Sequence, residues 1–281
     1  MRSLHHVLAP AKLNLFLHIT GRRDDGYHLL QSVFMLIDWC DTLHFDVRDD
    51  GVIEREDLNV ALPADDLVMR AAQSLQRASG THLGAHIAIE KHIPAQAGMG
   101  GGSSDAATTL LALNRLWGLN WPLSKLMPLG LALGADVPFF LGGHNAWIEG
   151  IGEKISAIDV PAARFAVVKP NAGLETAKIF RSPELQRATE TATMPFFAVN
   201  PYGFGRNDLQ PVAQALCPEI TEALQWLGSF GLSPRMTGSG SAVFAQLPDG
   251  VLIDSAPHDW QMRICSNMAV HPQAGWAASE S

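Results

Sequence analysis

Apolar and polar residues alternate near the start of the chain. Between residues 9 and 20 the pattern repeats at every second position, which predicts a β-strand with one buried side. One face of this strand carries the apolar residues Leu13, Leu15, Leu17 and Ile19. The opposite face carries Lys12, Asn14, Phe16 and His18. Lys12 and Asn14 are therefore predicted to lie side by side on one face.

Strand and helix patterns alternate in the next segments. Residues 22–27 are rich in turn formers, and residues 32–39 return to an apolar strand pattern. Asp65 and Asp66 precede apolar residues at helical spacing, which predicts a capped helix N-terminus. Residues 87–93 alternate again and predict another strand.

Two helices are predicted in the middle of the chain. Ser103, Ser104 and Asp105 suit the cap and first turn of the first helix, and Gly118 suits its end. The second helix is predicted over residues 123–133.

The second half of the chain mixes short strands and helices. After a break at Pro161, residues 165–168 read as a strand, and helical patterns lie near Glu175 and over residues 219–227. Residues 235–246 predict a strand, a tight turn and a second strand. Because there is no strict βαβ rhythm, the pattern favours an α+β fold over a doubly wound parallel sheet. We place a domain boundary near residue 159, which gives an N-terminal domain over 1–159 and a C-terminal domain over 160–281.

A glycine-rich loop at residues 98–104 lies between a predicted strand and a predicted helix. Glycines let the backbone come close to an anion, and a helix start offers free N–H groups and the positive end of the helix dipole. The loop is therefore predicted to hold a phosphate, with the hydroxyl groups of Ser103 and Ser104 available to the phosphate or to Mg²⁺.

Other interpretations of this loop are less well supported. A glycine cluster is usually a flexible turn with serine caps, but the helix that follows directly favours phosphate binding. No Gly-Lys-Ser/Thr follows, so this is not a Walker motif. Gly98 and Gly100 have dinucleotide-fingerprint spacing, but Ser103 stands at the third glycine position.

Two charged residues are candidates for chemistry. Asp136 lies between a small-residue turn and an apolar stretch, and Lys12 lies on the first strand. Taken singly, an aspartate in a turn is more often a cap, and a lysine on a strand more often faces solvent.

Four segments together resemble the GHMP kinases. They are residues 9–17 with Gly26-Tyr27-His28, residues 94–107, Gly-Ala-Asp-Val-Pro-Phe-Phe at 134–140 and Met-Thr-Gly-Ser-Gly-Ser at 236–241. The resemblance runs from about residue 9 to residue 244 and includes the order and spacing of the motifs.

The resemblance implies a two-domain GHMP kinase fold, with a ribosomal-protein-S5-like N-terminal domain and a C-terminal ferredoxin-like α/β sandwich. The active site is expected in the cleft between them. It also implies transfer of the γ-phosphoryl group of ATP to an alcohol, with Asp136 as the catalytic carboxylate and Lys12 as its partner. A nearby ammonium favours the ionised carboxylate, which can accept the hydroxyl proton. Mg²⁺ is expected with ATP, but its ligands are not identified by the sequence.

Within the family, the chain looks like the branch that phosphorylates the 2-hydroxyl of a cytidyl-diphosphate sugar alcohol in the non-mevalonate pathway to isoprenoid precursors. The implied ATP-binding residues are Pro94, Ala95, Gln96, Ala97, Gly98, Met99, Gly100, Gly101, Gly102, Ser103 and Ser104. The implied substrate-binding residues are Asn14, Tyr27, His28, Phe180, Thr237 and Gly238. Aromatic rings at Tyr27 and Phe180 suit stacking on a pyrimidine.

Several alternatives stay open. Asp66-Leu67 stands where many family members carry Asn-Leu, and Gln96-Ala97 stands where some carry glycines. The chain could be another GHMP kinase that acts on homoserine, mevalonate or a sugar, although these substrates have no base to stack. A nucleotide-binding regulator without catalysis, or a dinucleotide-dependent oxidoreductase, are further hypotheses. Retention of both Lys12 and Asp136 argues against the regulator.

Composition restricts the possible partners. The 281 residues are 47% hydrophobic and 17% charged, which is enough apolar material for a buried core. The net charge of −8, with scattered Lys and Arg, argues against a nucleic-acid partner. No apolar run approaches the ~20 residues that cross a bilayer, so no membrane partner is expected.

The cysteines and histidines do not indicate a disulfide framework or a metal site. The three cysteines are far apart, which fits a reducing compartment, and we expect a cytoplasmic protein that binds only small molecules. His82 and His86 are four apart but lack the Glu of a zinc motif, so no metal-binding residues are predicted. The oligomeric state is not predicted.

Overall fold

Two long antiparallel strands organise the fold, which a computed structural model describes for residues 2–257 and 259–279. Strand β1 spans Ser3–Arg22 and strand β2 spans His28–Arg48. The predicted turn at residues 22–27 connects them, and their pairing continues to Arg22 opposite His28. This hairpin carries Tyr27 and His28 at one end and Lys12 in its middle.

The strands of the described residues belong to one mixed sheet. Its main path runs β3, β4, β2, β10, β7, β9 and β8, while β1 and β5 also pair with β2, and β6 pairs with β5. The further strands are β3 Ile53–Asp57, β4 Gly84–Glu90, β5 Ala146–Gly150, β6 Lys154–Ala157, β7 Arg164–Lys169, β8 Arg235–Met236, β9 Val243–Gln246 and β10 Gln261–Met268. Because β10 pairs with both β2 and β7, it joins the two parts of the sheet.

Helices cover this sheet and carry the loops of interest. They are α1 Leu67–Ser79, α2 Gly101–Leu116, α3 Leu123–Leu133, α4 Val137–Gly142, α5 Thr176–Arg181, α6 Met194–Val199, α7 Gln210–Leu216 and α8 Pro218–Gly228. Among the described helices, none has both the length and the apolar character that a membrane span requires.

Three clusters of buried side chains form the core. The first includes Phe45 of β2 and Leu110 of α2, and the second includes Val168 of β7 and Leu227 of α8. The third surrounds Phe16 of β1. Each large apolar side chain that is fully buried stabilises the fold by roughly 1.5–3 kcal/mol. Strand β1 contributes to all three clusters, so it holds its polar residues where the clusters meet.

The prediction that β1 has one buried side is wrong. Phe16 is fully buried on the face expected to be polar, and Lys12 and Asn14 are 3% and 2% exposed. Helix α2 packs on β1, and the third cluster covers it as well. A period of two in the sequence shows that a strand has two faces but not what covers each face.

The strand predicted over residues 87–93 ends at Glu90. The backbone N–H groups of His92 and Ile93 donate to Oδ1 of Asp41, at 2.5 Å and 2.8 Å. This buried carboxylate takes the place of a neighbouring strand as their hydrogen-bond partner, and the chain turns toward the glycine-rich loop.

The predicted helices are present, with one shifted start. Asp66 caps α1 by accepting a hydrogen bond from the N–H of Met69, and α3 covers the predicted residues 123–133. Helix α2 begins at Gly101, so the expected cap at Ser103 is wrong: the cap is Gly100, whose φ of +73° suits glycine.

The division into domains at residue 159 stays a prediction. Residue 159 falls between β6 and β7, in a stretch without regular structure. The segment after this point still supplies β10, which pairs with β2.

Candidate active site

The glycine-rich loop is held in place by backbone hydrogen bonds to two other segments. The N–H of Lys12 donates to the carbonyl oxygen of Met99 at 2.9 Å. The N–H groups of Ser241 and Ala242 donate to the carbonyl oxygens of Gln96 and Ala97, at 3.1 Å and 3.2 Å. The loop therefore rests against β1 on one side and the turn before β9 on the other.

Gly98 is required by its conformation and by its surroundings. Its φ is +71°, and a Cβ there would lie 2.3 Å from the carbonyl oxygen of Thr237. Thr237 and Gly238, which were predicted to contact the substrate, pack against this loop. A Cβ on Gly238 would lie 2.6 Å from the carbonyl oxygen of Gly98. The structure thus places this pair behind the phosphate loop, as support for its backbone.

A cavity of about 550 Å³ opens in front of the loop. The first amides of α2 have no partner within the helix, and its positive dipole end favours an anion at this position. The cavity is lined by the loop and by residues around it, which are Leu62, Asp65, Asp66, Leu67, Lys91, Ile93, Pro94, Ala95, Gln96, Ala97, Gly98, Met99, Gly100, Gly101, Gly102, Ser103, Asp105, Leu174, Thr176, Ser239 and Gly240. Ten of the eleven predicted ATP residues therefore face one cavity.

Ser104 is the exception among the predicted ATP residues. Its side chain is fully buried in the first turn of α2, and its Oγ has no hydrogen-bond partner in the part of the chain that the structure describes. Ser103, one residue earlier, lines the cavity.

Lys12 and Asp136 meet beside the loop. Nζ of Lys12 lies 3.7 Å from Oδ2 of Asp136, donates to the carbonyl oxygen of Gly98 at 2.9 Å and donates to Oδ1 of Asn14 at 2.5 Å. The lysine side chain is 4% exposed, whereas that of Asp136 is 33% exposed. Burial lowers the pKa of Lys12, and the carboxylate of Asp136 partly opposes that effect.

Local sequence explains the position of Asp136. It is the residue before α4, and Pro138 near the start of that helix fixes the backbone for a first turn. Phe139 and Phe140 are buried in the first core cluster. The apolar helix anchors the backbone there, so the carboxylate lies at the edge of the core with part of its surface open.

Asn14 belongs to the Lys12 network. Besides accepting from Lys12, its side chain donates to Oγ of Ser32 at 2.9 Å, and its backbone N–H donates to Oγ1 of Thr237 at 2.9 Å. At 2% exposure it does not reach the walls of the second cavity described next. In this structure Asn14 orients the lysine.

A second cavity of about 710 Å³ lies at the end of the β1–β2 hairpin. It is lined by Arg22, Asp25, Gly26, Tyr27, His28, Leu30, Ile151, Ala177, Phe180, Arg181 and Arg187. The structure thus brings together Tyr27, His28 and Phe180, as predicted. The ring centroids of His28 and Phe180 are 5.1 Å apart, and the angle between the ring planes is 36°. The side chain of Tyr27 is exposed, at 61%.

Helix α5 and the residues before it lie along both cavities. Leu174 and Thr176 line the first, and Ala177 and Phe180 line the second. Thr176 Oγ1 is 2.7 Å from Ser239 Oγ, a hydrogen bond that ties the start of α5 to the turn before β9.

A buried charge cluster beside the loop was not predicted. Nζ of Lys91 hydrogen-bonds to both Asp41 and Asp105, whose side chains are 0% and 3% exposed. Burial lowers the pKa of Lys91, but the two carboxylates outweigh burial and raise it overall. Burial raises the pKa of Asp105 well above its usual value, against the opposing effect of Lys91. Lys91 is 50 positions from Asp41 and 14 positions from Asp105, so no local pattern signals the cluster.

The chain matches two protein-family models and is similar in sequence to known kinases. Residues 66–144 match the family model of the GHMP kinases N terminal domain, and residues 199–260 match that of the GHMP kinases C terminal domain. The chain is 67% identical over 280 residues to a 4-diphosphocytidyl-2-C-methyl-D-erythritol kinase of Albidiferax ferrireducens, covering 100% of this chain and 98% of the relative.

The chain belongs to the GHMP kinases.

Other similarities agree with this membership. A 4-diphosphocytidyl-2-C-methyl-D-erythritol kinase of Variovorax paradoxus is 62% identical over 295 residues, covering 99% of this kinase and all of the relative. A solved 4-(cytidine 5'-diphospho)-2C-methyl-D-erythritol kinase has a TM-score of 0.74 and 34% identity, covering 85% and 88% of the two chains. A homoserine kinase from Cytophaga hutchinsonii, with a TM-score of 0.67 and 15% identity over 96% of each chain, shares the fold. The predicted α+β, two-domain GHMP kinase fold is confirmed, and the chain is an ATP-dependent kinase.

Proposed function

We propose that this kinase transfers the γ-phosphoryl group of ATP to the 2-hydroxyl of 4-diphosphocytidyl-2-C-methyl-D-erythritol, a step toward isoprenoid precursors in the cytoplasm. The relatives with 62–67% identity over nearly the whole chain carry this substrate in their names. The observation that carries the proposal is the Lys12–Asp136 pair, because it puts a partly open carboxylate next to the phosphate loop.

Asp136 is the group that receives the hydroxyl proton. Its partly exposed carboxylate can accept a hydrogen bond from the substrate hydroxyl, and Lys12 favours the ionised form of that carboxylate. The attacking oxygen gains nucleophilic character as its proton moves to Oδ of Asp136. Phosphoryl transfer depends mainly on position and charge stabilisation, so a strong base is not needed.

Lys12 stabilises charge as well as position. Its hydrogen bond to the carbonyl oxygen of Gly98 fixes the ammonium to the phosphate loop itself. From there the positive charge can offset the negative charge on the transferring group and on the leaving ADP. Because Lys12 is almost fully buried, this interaction is weakened little by water.

ATP is placed in the 550 Å³ cavity, with its phosphates on the loop. A hydroxyl oxygen that suits Mg²⁺ lies at the same wall, because Ser103 lines the cavity. Ser103 would hold the ion together with the phosphates. When bound, Mg²⁺ supplies positive charge that offsets the β- and γ-phosphates.

The cytidyl group is placed in the 710 Å³ cavity. Tyr27 is exposed there and can cover one face of a base, while Phe180 and His28 supply further ring surface. A neutral pyrimidine is well suited to aromatic stacking, with polar groups fixing its orientation. Arg22, Arg181 and Arg187 give this cavity a positive lining, which suits a diphosphate.

An ADP-release assay tests the proposal. The purified kinase is given ATP, Mg²⁺ and, in separate reactions, the cytidyl substrate, mevalonate or homoserine. We expect turnover with the cytidyl substrate to exceed the others by at least about 10³-fold, because only this substrate fills the aromatic cavity. If mevalonate or homoserine were turned over as fast as the cytidyl substrate, the proposed substrate would be wrong. Absence of turnover with all three would favour the regulator hypothesis.

A further inference from the structure

Arg187 connects the two ring-bearing walls of the second cavity. Its Nε donates a hydrogen bond to Nε2 of His28 at 3.1 Å. Its other nitrogens donate to the carbonyl oxygens of Phe180 at 3.3 Å, Ser182 at 2.6 Å and Leu185 at 3.0 Å. The guanidinium group therefore fixes the end of α5, which carries Phe180, to the imidazole of His28.

The chemistry of arginine decides which tautomer His28 adopts. A guanidinium group has only N–H donors, so Nε2 of His28 must act as the acceptor. An imidazole nitrogen that accepts a hydrogen bond carries no proton. The ring proton is therefore on Nδ1, and the imidazole is neutral.

The surroundings of His28 favour this neutral form. Burial lowers the pKa of His28, and the guanidinium groups of Arg187 and Arg22 lower it further. Arg181, on α5, and Asp25, in the hairpin turn, are the other charged side chains that line the cavity. His28 lines the cavity, and its one N–H donor is at Nδ1.

We propose that Arg187 is a positioning residue that makes the kinase select cytosine over uracil, because it holds His28 as the Nδ1–H tautomer. This inference rests on the proposed cytidyl substrate. The atom that discriminates is N3: N3 of cytosine is an acceptor and matches an N–H donor, whereas N3 of uracil is itself a donor. An imidazole free to change tautomer could turn an acceptor toward uracil. Arg187 removes that option and at the same time ties Phe180 to the same position.

The test compares binding of CDP and UDP by calorimetry. Wild type is compared with Arg187→Met, which removes the donor, and with Arg187→Lys, which restores a group that can only donate. Arg181→Met is the matched control, because it removes a positive charge from the same cavity wall without a hydrogen bond to His28. Thermal unfolding and the KM for ATP show that each variant is folded.

We expect wild type to bind CDP at least about tenfold more tightly than UDP. In Arg187→Met the ratio of the two Kd values falls by about tenfold, because the tautomer is no longer fixed. Arg187→Lys keeps the ratio within about threefold of wild type. Arg181→Met weakens both ligands through the diphosphate and leaves the ratio unchanged.

Two results would overturn the inference while leaving the proposed function intact. One is a wild-type preference for CDP that stays unchanged in Arg187→Met, with both ligands weakened equally, since that is what a purely structural role gives. The other is a long-range ¹H–¹⁵N correlation spectrum that shows His28 with its proton on Nε2, with His28 assigned by comparison with His28→Gln. If wild type itself binds CDP and UDP equally, the proposed cytidyl substrate fails as well.

Discussion

Two lysines lie beside the phosphate loop, the buried Lys12 and the half-buried Lys91, and they differ in their carboxylate neighbours. Lys12 has one carboxylate neighbour, at 3.7 Å, and that neighbour is partly exposed. Lys91 is closed between Asp41 and Asp105, both of which are buried. Burial lowers the pKa of Lys12, whereas two carboxylates raise the pKa of Lys91. A lysine with a loosely paired, accessible carboxylate suits chemistry, and a lysine with two enclosed carboxylates suits support of the loop.

Replacing Asp136 tests the difference between the two lysine sites most directly. We expect Asp136→Ala to lower kcat by about 10²–10⁴-fold while ATP still binds, because the proton acceptor is lost and the phosphate loop is not. Steady-state kinetics and ATP titration measure the two effects. Asp65→Ala, which removes an exposed carboxylate at the ATP cavity, serves as the control and lowers kcat far less. Near-normal turnover of Asp136→Ala would end the assignment of Asp136 as the base.

Replacing each lysine with methionine distinguishes the catalytic role of Lys12 from the structural role of Lys91. Lys12→Met is expected to lower kcat by at least about 10²-fold and to leave the free energy of unfolding unchanged or higher at pH 7. Lys91→Met is expected to lower the free energy of unfolding by about 3–5 kcal/mol, because two buried carboxylates lose their partner. Urea denaturation measures stability, and Lys178→Met at the surface is the control. A stable Lys91→Met protein would contradict the supporting role of the cluster.

The stability difference between Lys12→Met and wild type depends on pH. Since the folded-state pKa of Lys12 is below its usual 10.5, the folded protein binds fewer protons at Lys12 than the unfolded chain between these two values. The wild-type free energy of unfolding therefore gains from rising pH in that window, and Lys12→Met lacks this gain. The advantage of the variant should shrink as pH rises toward 10.5. A difference that widens over this range would show that the pKa is not lowered.

Gly98 links Lys12 to the loop, since its carbonyl oxygen accepts a hydrogen bond from Nζ of Lys12. Gly98→Ala is expected to raise the KM for ATP at least tenfold, because alanine is strained at a φ of +71° and its Cβ collides with the Thr237 carbonyl. Gly102→Ala is the matched variant: its nearest atom is Leu67 Cδ1 at 3.5 Å, so the loss should be smaller. Equal losses in the two variants would contradict the close packing at Gly98.

The smallest expected effect is on binding of the cytidyl substrate, through Tyr27. Tyr27→Ala should raise the KM for the cytidyl substrate by about tenfold and leave the KM for ATP unchanged, because one stacking face is lost. Phe196→Ala removes another exposed aromatic ring, outside the cavity, and is the control. An unchanged KM for the substrate in Tyr27→Ala would argue against stacking.

Much of the fold was predictable because it depends on local signals. The cap at Asp66 marks α1, and the glycine loop followed directly by a helix marks the phosphate site. The resemblance to the GHMP kinases also implied that Lys12 and Asp136 meet, although they are far apart in the chain. The roles of these residues remain predictions, and the variants above test them.

The remaining features depend on tertiary contacts that no spacing reveals. Strand β1 is buried on both faces because α2 and the third core cluster cover it. The Lys91 cluster forms from β2, α2 and the segment after β4, and Arg187 reaches His28 across 159 positions. Thr237 and Gly238 lie behind the phosphate loop, in contact with Gly98, which their motif alone did not indicate.

A crystal structure with a non-hydrolysable ATP analogue and the cytidyl substrate tests the central claim most directly. We expect the triphosphate on the loop at residues 98–104 and the base between Tyr27 and Phe180. The 2-hydroxyl oxygen should lie about 3–3.5 Å from the γ-phosphorus and within hydrogen-bond reach of Asp136. A complex in which the hydroxyl and the γ-phosphate lie away from Lys12 and Asp136 would contradict the account.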